Sequence, residues 1–305
     1  MKYVVVAALL LISGCASVPR DTQPTPAPTP TLSVFVIAHP DDWQLFMNPD
    51  AFHAMNEPHE KAVFVHVSAG DAGKGLGGEP TPYYLAREEG ALRAIRFMAN
   101  AANATAALGA DTRPEAVERA GHPLARHTYA NAVAYFLRIH DGNIVNGDNF
   151  QEHPLSLQRL HSGASAETKA IDDSARYVGW SDFVATLEAV ITSELAPGTR
   201  LNLHIAELDE RRNPGDHHDH RAVAFAMEEI VARLPCARIS RHQEYATRDH
   251  KLNVTGVNYM IDVGTWAATA SGLSDSHAGS TWEPGHNSWL GRDYHRTQEP
   301  RGTCR

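Results

Sequence analysis

Apolar runs at residues 33–38, 62–67, 127–139 and 201–208 are continuous rather than alternating, which is the pattern of strands buried on both faces. Between and after them the apolar positions recur at helical spacing. Residues 42–55 predict a helix that is interrupted or restarted at Asn48-Pro49-Asp50, because proline lacks the amide proton that a helix interior needs. Residues 83–104, with Leu85, Leu92, Ile95 and Met98 on one side, predict a long helix. Two more are expected at 181–195, with Ser181 as N-cap, and at 221–234. Strands alternating with helices predict an α/β fold with a doubly wound, mainly parallel sheet and helices on both faces. Residues 142–178 show little periodicity and read as a loop over the active face, and residues 246–305 read as a less regular C-terminal extension packed on or beside the domain.

The first residues change the picture of where the chain resides. Lys2 precedes an apolar run at 3–12 that is too short to span a bilayer, and Ile12-Ser13-Gly14-Cys15 follows as a small-residue box ending in cysteine. This pattern resembles a bacterial lipoprotein signal, which implies cleavage before a lipidated Cys15. Pro24, Pro26, Pro28 and Pro30 then alternate with small residues as a semi-extended tether. The chain is therefore expected to divide into a signal peptide (1–14), a lipidated cysteine with tether (15–32), an α/β domain (33–245) and the extension (246–305). The membrane is an expected partner, in a bacterial cell envelope. Neither Ala16 nor Ser17 is acidic, which favours the outer membrane where there are two. Of three cysteines, Cys236 and Cys304 remain in the processed chain, as a disulfide pair or as two thiols. A net charge of −9 without a basic stripe argues against nucleic acid as a partner.

Candidate chemistry sits at two strand ends. His39-Pro40-Asp41-Asp42 closes the first strand, and His217-His218-Asp219-His220 follows the strand at 201–208; open α/β sheets bind ligands at such ends. A hydrolytic zinc site takes three N/O ligands and leaves one position open, a set that His39, Asp42 and His220 supply. Asp41, pointing away from its neighbour, is then free to take a proton from the attacking water. His217 can face the same cavity and donate a hydrogen bond or a positive charge to an oxyanion, while Asp219 orients an imidazole. The glycine-rich stretch at 68–78 lacks the spacing of either nucleotide fingerprint and reads as a flexible loop at the site mouth.

These motifs resemble those of the PIG-L/LmbE family, which carries Ala/Pro-His-Pro-Asp-Asp-Glu near its start and His-x-Asp-His later. The resemblance spans 33 to about 245. It implies a Rossmann-like fold and zinc-dependent removal of acetyl groups from N-acetylglucosamine-containing molecules, with one zinc ion on His39, Asp42 and His220, Asp41 as general base and His217 as catalytic histidine. Arg87-Glu88-Glu89 resembles the family's Arg/Glu-bearing helix and His140-Asp141-Gly142 its Pro-Asp-Gly turn, which would make Arg87 and Asp141 sugar-hydroxyl contacts. Trp43 replaces the family's Glu and is suited either to stacking on a sugar face or to filling core space. Trp266, Trp282 and Trp289 pose the same choice. The partner is thus expected to be an N-acetylated amino sugar or glycoconjugate. The competing readings are a metal- or glycan-binding lipoprotein without turnover and a metal-dependent hydrolase of another amide; the spare carboxylate Asp41 speaks against the first.

Overall fold

The computed structural model describes residues 28–102, 112–142 and 152–301. The chain opens with β1 (Thr31–Ile37), which already takes in the end of the expected tether, followed by α1 (Asp42–Phe46), α2 (Asp50–Asn56) and β2 (Glu60–Ser68). The break between α1 and α2 falls at Asn48-Pro49, where the proline was expected to interrupt the helix. Next come α3 (Tyr83–Ala101), β3 (Arg113–Arg119), β4 (His122–Tyr129) and β5 (Ala132–Ile139). The single strand expected at 127–139 is therefore the end of one arm, the turn and the whole second arm of the β4–β5 hairpin. The chain reverses at Ala130, which has a positive φ of 52°, and Asn131, whose amide donates to the carbonyls of Met55 and Glu60.

The segment expected to be a plain loop contains α4 (Leu157–Ser162) and a small ribbon of β6 (Glu167–Lys169) and β7 (Arg176–Val178). After α5 (Trp180–Glu194) come β8 (Arg200–Ala206), α6 (His218–Arg233), β9 (Ala237–His242), α7 (Gly256–Asp275), α8 (Pro284–Asn287) and β10 (His295–Gln298). Gly179, not Ser181, is the N-cap of α5; Asp182 reaches back from the first turn to accept from the Val178 amide at 2.8 Å. Helix α6 begins three residues earlier than expected, which places Asp219 and His220 inside its first turn.

The main sheet runs β10-β9-β8-β1-β2-β5-β4-β3. Its centre, from β9 through β5, is parallel, and β10, β4 and β3 join antiparallel. The period-two rule divides the core between the two faces. Val34 and Val36 of β1 and Val63 and Val65 of β2 face the side covered by α4, α5 and α6; Phe35, Ile37 and Phe64 face α1, α2, α3 and α7. The region expected to be irregular contributes the twenty-residue α7, which packs along α3. Trp266, Trp289 and Leu290 belong to the same core as β1 and β2, so the extension completes the domain.

Chain order reverses at β1. From there the sheet grows through β2 and β5 in one direction and through β8 and β9 in the other. The crevice between the carboxyl ends of β1 and β8 is the topological switch point, where a doubly wound sheet leaves room for a ligand. Among the described residues no helix is long and apolar enough to cross a membrane. The signal peptide, Cys15 and the prolines at 24 and 26 lie outside the described residues, as does Cys304; Cys236 is disulfide-bonded.

Candidate metal centre and active-site cleft

His39 leaves the end of β1, Asp42 is the first residue of α1, and His220 lies in the first turn of α6, beyond β8. The switch point brings them together. His39 Nδ1 and His220 Nε2 are 3.1 Å apart, and Asp42 Oδ1 is 3.4 Å from the first and 3.2 Å from the second. The other Asp42 oxygen accepts from the His39 amide at 2.7 Å, which fixes the carboxylate between the rings.

The outer nitrogens of both rings face carboxylates. His39 Nε2 lies 3.4 Å from Asp219 Oδ2. His220 Nδ1 is 2.8 Å from its hydrogen-bond acceptor Asp216 Oδ1 and 2.6 Å from Glu244 Oε2, which approaches outside hydrogen-bond geometry. Carboxylates on the outside assign the ring protons there, so two imidazole lone pairs and a carboxylate oxygen face each other across the centre. That is a repulsive arrangement without a cation and a fitting one with it. Ligand-to-ligand spacings of 3.1–3.4 Å match the edges of a tetrahedron around zinc, about 3.3 Å for bonds of about 2.0 Å.

The electrostatics agree. Burial pushes His39 down, but Asp42, Asp219 and Asp141 outweigh it and raise it to about 10. His220 is likewise lowered by burial and raised, in net, well above its usual value by Asp42, Glu244 and Asp216. Burial raises Asp42, and the two histidines more than reverse that. The cluster draws positive charge, and a divalent cation competes with protons for the same lone pairs.

Asp41, one residue before α1, points elsewhere. Its Oδ1 is paired with the Arg87 guanidinium, and Oδ2 lies 3.9 Å from His286 Nε2. Arg87 also donates to the Gly70 carbonyl at 2.8 Å, so this residue, expected to touch sugar, is braced between Asp41 and the loop after β2 while still lining the cleft. Asp141 sits at the inner wall: Oδ2 accepts from the Ala72 amide, and its oxygens are 3.9 Å from His39 Nε2 and His217 Nε2. The glycine after it has a specific reason to be glycine, because a Cβ on Gly142 would stand 2.5 Å from Asp219 Oδ1.

His217 is the N-cap of α6. Its Nδ1 accepts from the Asp219 amide at 3.0 Å, leaving the proton on Nε2. Burial, with the nearby His39, lowers its pKa to about 3, so the ring is neutral. A neutral ring with its proton on Nε2 is able to donate a hydrogen bond into the cleft.

Trp43 is corrected. It is 0 % exposed, packs 4.5 Å from Phe64 and lies in the core under α1, out of reach of any sugar. The aromatic and polar wall of the cleft takes in Trp289, one of the three C-terminal tryptophans weighed above, and otherwise comes mainly from positions that the sequence did not mark. Tyr245 and Trp289 stack at 4.9 Å with Arg248 over the Trp289 ring, and His286 is oriented through Nδ1 by Glu283. These residues enclose a cleft of about 500 Å³ whose floor is His39, Asp41, Asp42 and His217. Trp266 is core, and Trp282 is exposed. Glu244 had a usable signal, since it follows the carboxyl end of β9 as His39 follows β1; His286 and Glu283 had none beyond the bulk histidine and acid content of the tail.

Comparison with known proteins adds three findings. The sequence profile described as PIG-L: GlcNAc-PI de-N-acetylase matches residues 34–231, well over half of the chain. No curated protein sequence matches significantly. Similar solved structures include N,N'-diacetylchitobiose deacetylase from Pyrococcus horikoshii in complex with its inhibitor MPG (13 % identity, 88 % of this chain and 84 % of that one covered, TM-score 0.47). Another is GalB, the 4-carboxy-2-hydroxymuconate hydratase from Pseudomonas putida (11 % identity, 90 % and 99 % covered, TM-score 0.41).

Proposed function

The chain belongs to the PIG-L (GlcNAc-PI de-N-acetylase) family, and from that premise we propose that it is a zinc-dependent amidohydrolase that removes the N-acetyl group of an amino-sugar-containing substrate. The observation that carries the proposal is the convergence of His39 Nδ1, Asp42 Oδ1 and His220 Nε2 on one point, with a carboxylate outside that ligand set, Asp41, lining the same cleft. A zinc ion held by those three residues would acidify a water and polarise the acetamide carbonyl.

The chain's own residues divide the remaining work. Arg87 fixes Asp41 through Oδ1, so that Oδ2 is the oxygen that takes the proton of the attacking water. His217 donates its Nε2 proton as a hydrogen bond to the carbonyl oxygen as that oxygen becomes an oxyanion, and gives up no proton. When the C–N bond breaks, the departing nitrogen takes the proton that Asp41 collected, and the products, an amine and acetic acid, leave as ammonium and acetate once the acid's remaining proton has passed to the amine. Asp219 and Asp216 hold the ligand imidazoles from behind. Trp289, Tyr245 and Arg248 supply an aromatic and cationic wall suited to a sugar ring and its hydroxyls.

Acetate release from a panel of N-acetylated amino sugars, with and without chelator, tests this. Chelator-sensitive release that zinc restores is expected; a zinc-loaded protein releasing acetate from no acetamide would defeat the reading. We also place the protein at the bacterial cell envelope, lipid-anchored through Cys15, on the strength of its N-terminal sequence. Cys15→Ser is expected to move it from the membrane to the soluble fraction, and unchanged fractionation would count against the anchor.

A further inference from the structure

A second histidine cluster lies away from the cleft, at the other side of β8. His204 of β8 and His242, the last residue of β9, point to the same side of the sheet, and Asp50, the first residue of α2, closes on them from below. His204 Nδ1 and His242 Nε2 are 3.1 Å apart, and Asp50 Oδ2 is 3.5 Å from the first and 3.8 Å from the second. These are the donor types and nearly the spacings of the catalytic triad of ligands. His295 of β10 pairs directly opposite His242 in the ladder, and its Nε2 is 3.9 Å from the same Asp50 oxygen.

The outward nitrogens again meet a carboxylate. Asp293 Oδ1 is 3.4 Å from His242 Nδ1 and 2.9 Å from His295 Nδ1, so one acid places the ring protons of both histidines outward and leaves both Nε2 lone pairs facing Asp50. His242 is wholly buried, and its Nε2 faces the His204 ring nitrogen and the Asp50 carboxylate. Acceptor groups gathered on one point in this way are what a bound cation would complete.

We infer that Asp50, His204 and His242 form a second zinc-class site, structural in role, with His295 at its rim. Two imidazoles and one carboxylate are the ligands of a borderline divalent ion rather than of magnesium or calcium, which take oxygen. None of the three lines the cleft, so an ion there would brace the fold rather than meet a substrate. Such an ion ties the start of α2 and β8 to β9, and β10, paired with β9, follows directly on the segment that carries Glu283, His286 and Trp289 into the cleft wall.

Metal counting on the full chain, equilibrated with zinc and then passed into metal-free buffer, separates this from a plain hydrogen-bond network. About two zinc equivalents per chain are expected, with about one kept by the His39→Ala/His220→Ala variant. In that background the added His242→Gln change is expected to remove the remaining equivalent, and Asp50→Asn to weaken its binding at least tenfold. Cobalt in the His39→Ala/His220→Ala variant should give the visible absorption of a tetrahedral site. Should His242→Gln fail to fold, Asp50→Asn, whose side chain is partly exposed, carries the comparison. A folded His39→Ala/His220→Ala variant that binds no metal overturns the inference, and so does residual binding that Asp50→Asn leaves unchanged.

Discussion

Asp41 and Asp42 are adjacent, chemically identical and given to different tasks by what surrounds them. Asp42 opens α1 with one oxygen held by the His39 amide, which aims the other at the two ring nitrogens; Asp41 is turned to Arg87 and the cleft. Asp41→Asn should therefore lower kcat by about 10²–10⁴ while zinc content stays unchanged. Loss of zinc in that variant would show the two roles to be exchanged. At His217 the distinction is between a neutral donor and a cation. His217→Ala is expected to cost about 10²–10³ in kcat, and His217→Gln, which keeps an N–H donor, to recover a measurable part of it. No recovery by Gln would favour a charged role. Both motifs were legible because strand ends and helix starts are themselves legible, and a ligand's side chain needs little else to be placed. Trp43 was not: a tryptophan beside an active-site motif carries the same signal whether it faces a sugar or the core, and only the phase of the five-residue α1 decides.

Among the elements, α7 shows why the tail was misread. Its buried positions are Asp262, Thr265, Trp266, Thr269, Ala270, Gly272 and Leu273, a helical stripe, but three of the seven are polar residue types. The two threonine hydroxyls bond back to the carbonyls of Ile261 and Thr265, so they can be buried without loss, and a reading based on apolar periodicity passes over them. The small residues serve close approach. A Cβ on Gly272 would come within 2.6 Å of the Gly90 Cα, so α3 and α7 cross backbone to backbone. Gly272→Ala is expected to destabilise the fold by about 1–3 kcal/mol in urea unfolding, because rigid main chain has to move apart. An unchanged midpoint would mean that α7 is free to slide. The β4–β5 hairpin was missed for a related reason: its reversal at Ala130 and Asn131 has neither glycine nor proline to announce it.

For the molecule as a whole, stability is tied to pH through a carboxyl far from any reaction step. Asp262 of α7 is 2 % exposed, accepts from the Gly291 amide at 2.6 Å, and lies 3.4 Å from the Asn48 amide. Burial, only partly offset by these two donors, raises it to about 7. A carboxyl whose folded pKa exceeds its unfolded one favours folding when protonated. Its contribution is complete below about pH 4, is lost as pH rises towards 7, and is flat above. Between pH 4 and 8, Asp262→Asn should thus gain on the parent chain by up to about 4 kcal/mol, read from denaturant midpoints at each pH. Parallel curves would rule the linkage out. The second histidine cluster belongs to this scale as well, and it was invisible in sequence because Asp50, His204, His242 and His295 lie on four different elements with no shared spacing.

The reversal of chain order at β1 also has a consequence in time. Leu32 and Val34 pair on one side with Lys61 and Val63 and on the other with Leu201 and Leu203, so a ribosome delivers one flank of the central strand long before the second. During that interval an unpaired edge of valine, phenylalanine and isoleucine is open to any other strand. A chain ending at residue 195 is therefore expected to aggregate where the full chain folds, and a soluble monomer of that length would show that some other segment shields the edge until its partner arrives.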